Sequence, residues 1–257
     1  MIARAALIAA ATIAAAGTAH AERLTIASST TQIDISASFT GIPLTVFGVI
    51  ELDTPAAELP LDADYRVAVL ILGPRTSVVV RKKDRVLGIW ANAQSQTIIS
   101  PPSVYLLSAS VDLPRLAAAS VLERLQIGFD NIPFAYQHRA TINDPGAVEF
   151  RDAFIRLKER ARLYSDDGGV GFVGNLVFRT TARLPATIPV GDYTVVAYLF
   201  SGDELVARAE ERIVVSKTGF EATMAAFART QSLPYGILVV AMALVVGWLG
   251  GVIFRRD

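Results

Sequence analysis

Residues 184–196 read L-P-A-T-I-P-V-G-D-Y-T-V-V. Two prolines and a glycine make a corner, and the corner feeds an alternating run with a tyrosine, Tyr193, near its start. That order is the approach to a late strand of an immunoglobulin-like sandwich. The strand it predicts is Asp192–Phe200. Gly202-Asp203 then makes a hairpin turn into a strand over Leu205–Val215. Upstream, Gly171–Thr181 reads as one more strand.

Further out, the first half of the chain repeats the pattern. Gln32-Ile33-Asp34-Ile35-Ser36 alternates as a half-buried strand does. Leu44–Ile50, Arg66–Leu72, Thr76–Arg81, Val86–Trp90 and Val104–Ala109 are rich in β-branched, leucine and aromatic residues, with Pro and Gly between them. Arg66–Leu72 is nearly all apolar and is expected to be central. Two helical segments interrupt the strands. Asp112-Leu113-Pro114 starts one that leads into Arg115–Gln126. A second spans Ala147–Tyr164, with Phe150, Phe154, Leu157, Ala161 and Tyr164 at helical spacing, and Asp166-Asp167-Gly168-Gly169 ends it. The expected fold is mainly β: an immunoglobulin-like β-sandwich over 22–216 with a helical insertion near 112–165. Two smaller β modules joined by a helical linker are the alternative.

The chain has 257 residues and is 52% hydrophobic, a high fraction for a soluble domain. The excess lies in the two ends. Residues 1–21 carry Arg4, an uncharged run from Ala5 to Ala16, and the A-x-A site Ala19-His20-Ala21. This is the pattern of a bacterial signal peptide, cleaved after Ala21. Residues 234–254 hold no charge. As a helix they would be about 31 Å long, matching a bilayer core. Tyr235 and Trp248 fall near the two interfaces, and Arg255 and Arg256 mark the cytoplasmic side. Export and charge give one topology: the bulk of the chain in the periplasm, a single pass through the inner (cytoplasmic) membrane, and a cytoplasmic tail at 255–257. Gly247 and Gly251 form a small-xxx-small pair suited to close helix approach. Phe220, Met224 and Phe227 predict an amphipathic helix at the outer membrane boundary within 217–233.

Charge is balanced, 24 basic against 24 acidic residues, which argues against a nucleic-acid binder. Cysteine is absent, excluding disulfides, thiolate metal sites and a cysteine nucleophile. Of two histidines, His20 lies in the leader, so His138 is the one imidazole left and a multi-histidine metal site is excluded. His138 alone could act as a general base, but no G-x-S-x-G elbow accompanies it. Gly169-Val-Gly-Phe-Val-Gly174 matches the dinucleotide pattern, yet a helix precedes it and a strand follows, the reverse of what phosphate binding needs. Carboxylates gather at Asp62/Asp64, Asp144/Glu149, Asp166/Asp167 and Asp203/Glu204, without the spacing of a calcium loop. No catalytic residue, metal site or cofactor is expected.

The densest charge run is Arg75, Arg81, Lys82, Lys83 and Arg85 against Asp84, and it leads to Trp90. A hairpin with Lys82-Lys83-Asp84 at its tip would present basic charge beside an indole. That tip would suit an acidic partner or anionic headgroups.

The chain resembles a family of alphaproteobacterial single-span transmembrane proteins of unknown function. The resemblance rests on Gly73-Pro74-Arg75, Val80-Arg81-Lys82-Lys83, Gly88-Ile89-Trp90-Ala91-Asn92, Pro102-Ser103-Val104-Tyr105, Phe178-Arg179, Leu184-Pro185, Val190-Gly191-Asp192-Tyr193, Lys217-Thr218-Gly219-Phe220-Glu221, Tyr235-Gly236 and Phe254-Arg255-Arg256. It implies an envelope protein with one C-terminal span, and it supplies no catalytic residue, cofactor or substrate. It also turns the expected partner towards an integral membrane protein such as a sulfite-exporter-like permease. The expected function is therefore a membrane-anchored interaction module, an accessory subunit of a transporter or envelope complex without catalysis. A periplasmic ligand-binding or sensor domain is the alternative.

Overall fold

A computed structural model describes residues 22–52, 64–86, 88–137, 145–218, 224 and 227–253. Twelve strands are formed among them: β1 (Arg23–Ser28), β2 (Gln32–Ile35), β3 (Gly41–Glu51), β4 (Tyr65–Leu72), β5 (Val78–Val86), β6 (Ile89–Ile99), β7 (Tyr105–Ala109), β8 (Ala135–Tyr136), β9 (Tyr164–Val173), β10 (Val177–Pro185), β11 (Gly191–Ser201) and β12 (Glu204–Lys217). Helices among the described residues include α1 (Leu113–Leu116), α2 (Ala119–Leu125), α3 (Pro145–Arg160) and α4 (Ser232–Ile253), with a 3-10 turn at Phe129–Asn131 and helical residues at 224 and 227–230.

Nine strands hydrogen-bond in the order β1-β3-β10-β9-β7-β4-β11-β12-β2. The sequence pattern explains the split into two layers. β3 alternates, burying Leu44, Val46 and Ile50 and exposing Phe47 and Val49, so it covers one side of a core. β4 buries five residues in succession, as the apolar run predicts for a strand covered on both faces. β1-β3-β10-β9 form one layer, and β7-β4-β11-β12-β2 the other. β1 pairs antiparallel with β3, while β2, which follows it, pairs parallel with β12. The first strand thus passes from one sheet to the other, and the layers read A-B-E-D and C-F-G, the immunoglobulin-like arrangement. The Tyr193 hydroxyl donates to the Pro189 carbonyl at 2.7 Å, closing the corner that opens β11.

β9 joins the layers. Tyr164 and Ser165 pair parallel with Tyr105 and Leu106 of β7, whereas Val170–Val173 pair antiparallel with β10. At the crossing, a Cβ on Gly168 would lie 2.2 Å from the Ser108 hydroxyl oxygen and 2.9 Å from the Leu107 carbonyl. Asp166-Asp167-Gly168-Gly169 is therefore a strand changing sheets, and it does not end a helix. α3 stops at Arg160 and its chain turns at Arg162, φ 57°.

Other expectations are corrected. The expected helix over 115–126 is two short ones, α1 and α2, because Ala117 is extended and Ala118 is also non-helical between them. Phe150, Phe154 and Tyr164 are buried as expected, but Leu157 is 57% exposed, since the inward stripe of α3 runs through Ala147, Phe150 and Phe154. Residues 171–181 form a hairpin, β9 to β10, with its turn at 174–176.

The helical insertion is riveted to the sheet by hydroxyls. Tyr105 donates to the Gln126 carbonyl at 2.9 Å and accepts from the Gly128 amide at 2.8 Å. Tyr164 donates to the Pro102 carbonyl at 2.6 Å. Phe129 and Phe154 pack on the Tyr164 ring with centroids 5.9 and 5.7 Å away. Lys158 reaches from α3 to the Ser103 carbonyl at 2.9 Å, over the Phe154 ring.

Candidate contact surfaces

β5 and β6 make an antiparallel hairpin whose last pair is Val86 with Ile89. The expected tip, Lys82-Lys83-Asp84, lies within β5 instead, and the hairpin reaches its end beyond the Val86–Ile89 pair, so Val86 and Trp90 belong to two strands and not to one. The misreading has a local cause: polar Asn92–Gln96 looks like loop, yet every residue there pairs across to the basic strand or sits in the bulge opposite Lys82/Lys83. The base of the hairpin is packed, with Val80 at 7% and Ile98 at 0% exposure. From Arg81 outward the described side chains on both strands are exposed as far as Ser95, so the hairpin is an arm.

Register sorts the charges. Alternation on β5 puts Val79, Arg81, Lys83 and Arg85 on one face and Lys82 and Asp84 on the other. Arg81 pairs with Ser95, Lys83 with Asn92 and Arg85 with Trp90. β6 carries no charged residue, so none of these three cations has a carboxylate across the ladder. Lys82, on the opposite face, is bound by Glu149 of α3 at 2.7 Å. The Asp84 carboxylate accepts from the Arg85 amide at 2.7 Å. Trp90 is 67% exposed and Ile89 72%. Arg75 does not belong with the others: it bridges to Pro102 at the root and donates to the Ser100 carbonyl at 3.4 Å.

The arm leaves the sandwich where the tether does. β4 ends at Leu72, beside Thr194 near the start of β11, and Gly191 of β11 pairs with Val215 of β12. A Cβ on Gly191 would touch Pro74 at 3.0 Å, so the arm's root packs beside the strand that leads towards α4. α4 spans 22 residues, and the protein buries none of its apolar window. Gly247 and Gly251 face open space, and Trp248 is 68% exposed. Phe227 packs edge-on against Tyr235, with centroids 6.1 Å apart. Met224 is half-buried. Residues 1–21, Asp62, His138, Asp144, Phe220, Arg255 and Arg256 lie outside the described residues.

Away from the arm, a cleft of about 860 Å³ opens between α1, α2 and α3. Leu122, Ile127 and Ile155 line it, with Asp130, Asp166 and Asp203 also on its walls. Arg151 donates to the Phe129 carbonyl at 3.1 Å and pairs with Asp130 at 3.0 Å. Burial, with Asp167 and Asp130 nearby, raises the Asp166 carboxyl above its ordinary range. Burial lowers the Lys158 ammonium, and it raises the hydroxyls of Tyr105, Tyr164 and Tyr193. Sequence reasoning missed this cleft, since its walls come from segments far apart in the chain. Among the described residues no three His, Cys, Asp or Glu side chains gather to hold a metal. Gly169–Gly174 lies in β9 and the turn after it, with a strand rather than a helix beyond.

Comparison with known proteins gives one family. The model of the family described as "Putative transmembrane protein (Alph_Pro_TM)" matches residues 23–256, and the chain belongs to that family. No curated protein matches. Among solved structures, AggA, the major subunit of aggregative adherence fimbriae type I of Escherichia coli, is similar over 77% of this chain and 95% of that chain, at 10% identity and a TM-score of 0.28. A likeness of that size carries no argument. The family and the bare apolar helix together make this a membrane protein with a β-sandwich domain.

Proposed function

We propose that this family member is a non-enzymatic interaction module, held by α4 in the inner membrane with its sandwich in the periplasm and its C-terminus in the cytoplasm. Its role is that of an accessory subunit to an integral membrane protein, of which an exporter-like permease is the expected type. The observation that carries the reading is the shared end: the arm's root at Pro74 and the base of the tether at Val215 both pack at Gly191. The arm's end of the domain is therefore the end that faces the bilayer, the level at which a membrane partner begins. The bare Gly247/Gly251 face of α4 supplies a second contact, inside the bilayer.

The chain has no cysteine, so one introduced thiol is unique. Asp203→Cys, in the β11–β12 turn, should react with a membrane-impermeant maleimide added to cells with a permeabilised outer membrane. Gly251→Cys, crosslinked in membranes, should capture an integral protein. Labelling of Asp203→Cys only after cell lysis would overturn the topology. Recovery of the chain alone, with function kept after α4 is deleted, would overturn the accessory role.

The cleft favours a second reading. Its volume lies within the range of small-molecule sites, and it combines an apolar lining with a few charged groups. A ligand-dependent rise in the melting temperature of the full chain in detergent would support a sensor role, and a flat screen would remove it.

A further inference from the structure

We infer that the arm's Arg81/Lys83/Arg85 face and Trp90 dock on the anionic headgroup layer of the bilayer that α4 spans. The inference rests on the anchored topology proposed above and names the counterpart of the arm itself.

Three observations support a lipid surface. First, the exposed face is uniform in sign. Arg81, Lys83 and Arg85 follow one another at every second position and face Ser95, Asn92 and Trp90 across the ladder. Among the described residues Glu149 is paired with Lys82, and Asp84 stands on the opposite face of β5 and accepts from the Arg85 amide. A planar row of unneutralised cations fits a layer of phosphates, and Coulomb attraction to such a layer falls off within a Debye length. Second, the row runs to the end of the arm, where Trp90 and Ile89 are exposed. An indole at the far end of a basic row is the arrangement favoured at the headgroup boundary, where the ring is part in lipid and its N–H stays wet. Third, the lengths agree. From Val80 to Val86 at the end of β5 the arm extends about 20 Å at the rise of a strand. Residues 224 and 227–230, between Lys217 and Ser232, are helical, and a wholly helical link of that length would cover about 22 Å. An arm that leaves the tethered end of the sandwich thus has the reach to meet the surface that the tether enters.

The described cross-strand partners on this face are Ser95, Asn92 and an exposed Trp90. A flat basic stripe recognises charge density, and a bilayer supplies that over any orientation of the arm. Contact with an acidic protein is the competing outcome.

The two tryptophans allow a direct test. Full-length chain carrying Trp248→Phe keeps Trp90 as its sole indole. It is reconstituted in nanodiscs of phosphatidylcholine alone, or of phosphatidylcholine with phosphatidylglycerol. In the anionic discs Trp90 emission should shift to the blue and be quenched by brominated acyl chains. Both effects should be lost in pure phosphatidylcholine, in high salt, and in K83E/R85E. A water-exposed Trp90 in anionic discs, or a signal unchanged by the charge reversal, overturns the inference. Protection of Trp90 in native membranes but not in anionic discs assigns the arm to a protein and overturns it too. Failure of the anchored topology reads out separately, through maleimide labelling of Asp203→Cys: correct labelling with a wet Trp90 sinks only the lipid contact.

Discussion

Gly48→Ala is the most direct test of the packing between β3 and β10. Gly48 pairs with Phe178, which is fully buried, and its missing side chain leaves room for the ring. A Cβ placed there would lie 2.0 Å from Cζ, 2.4 Å from Cε1 and 2.6 Å from Cε2 of Phe178. Ordinary carbon contacts begin near 3.5 Å, so the ring must retreat by about 1.5 Å into a close-packed core. Overpacking of that kind costs about 1–3 kcal/mol. For a domain of this size, a cost of about 2 kcal/mol lowers Tm by roughly 4–8 °C. The assay is thermal unfolding of the full chain in detergent, followed by near-UV circular dichroism. Gly171→Ala is the control, because its Cβ meets nothing within 4 Å. It should be neutral or stabilise by about 0.5 kcal/mol through the unfolded chain. Adding Phe178→Leu to Gly48→Ala removes the clashing end of the ring, so the pair should fall short of additivity by about 1 kcal/mol. A Gly48→Ala change within about 0.5 kcal/mol of wild type, the size of an unremarkable surface substitution, or strict additivity of the pair, would refute this placement of Phe178.

Alkaline pH should unfold the domain cooperatively. Burial holds the Tyr105, Tyr164 and Tyr193 hydroxyls protonated above the ordinary value of 10.0, so the unfolded chain releases these protons first. Stability is then untouched below about pH 10 and falls by about 1.4 kcal/mol per pH unit for each tyrosine above it, which a tyrosinate absorbance titration will record as one steep step. Tyr193→Phe removes the bond to the Pro189 carbonyl and should cost about 1 kcal/mol, seen as a Tm lower by roughly 2–4 °C. Glu149→Gln frees Lys82, but the pair is half exposed on both sides, so urea unfolding should move by less than about 1 kcal/mol.

Much of the fold was legible because it depends on local pattern. The Pro–Gly corner before Tyr193, the alternation around Ile33 and the apolar run of Arg66–Leu72 each state which face of a strand is wet, and the strands stand there. What misled was context. Asp166-Asp167-Gly168-Gly169 has the composition of a helix stop, yet the glycine is needed because Ser108 and the Leu107 carbonyl crowd the crossing. Leu157 has the right spacing for the core and still faces solvent. The inward arc of α3 is fixed by what Tyr164 and Phe129 offer it, and that is a tertiary fact.

The arm shows the same limit at the level of the surface. Its basic composition was visible, but a list of charges has no faces. Only the ladder separates Lys82, which is used up against Glu149, from Arg81, Lys83 and Arg85, which are not. Only the topology adds that the arm carrying this row is rooted beside the end of β12. In an immunoglobulin-like sandwich the long inserts can leave from either end of the sheets. Here the insert between β4 and β7 leaves from the tethered end, and Gly191 lets Pro74 pack tightly there. A bulkier residue at 191, where φ is 138°, would strain the start of β11 and push the root of the arm away, without touching a single charge. Gly191→Val should therefore loosen the arm's seat while leaving its cations in place. If Trp90 in anionic nanodiscs reports the same environment in that variant as in the parent, the arm finds the bilayer by charge alone and its seat on the sandwich is irrelevant.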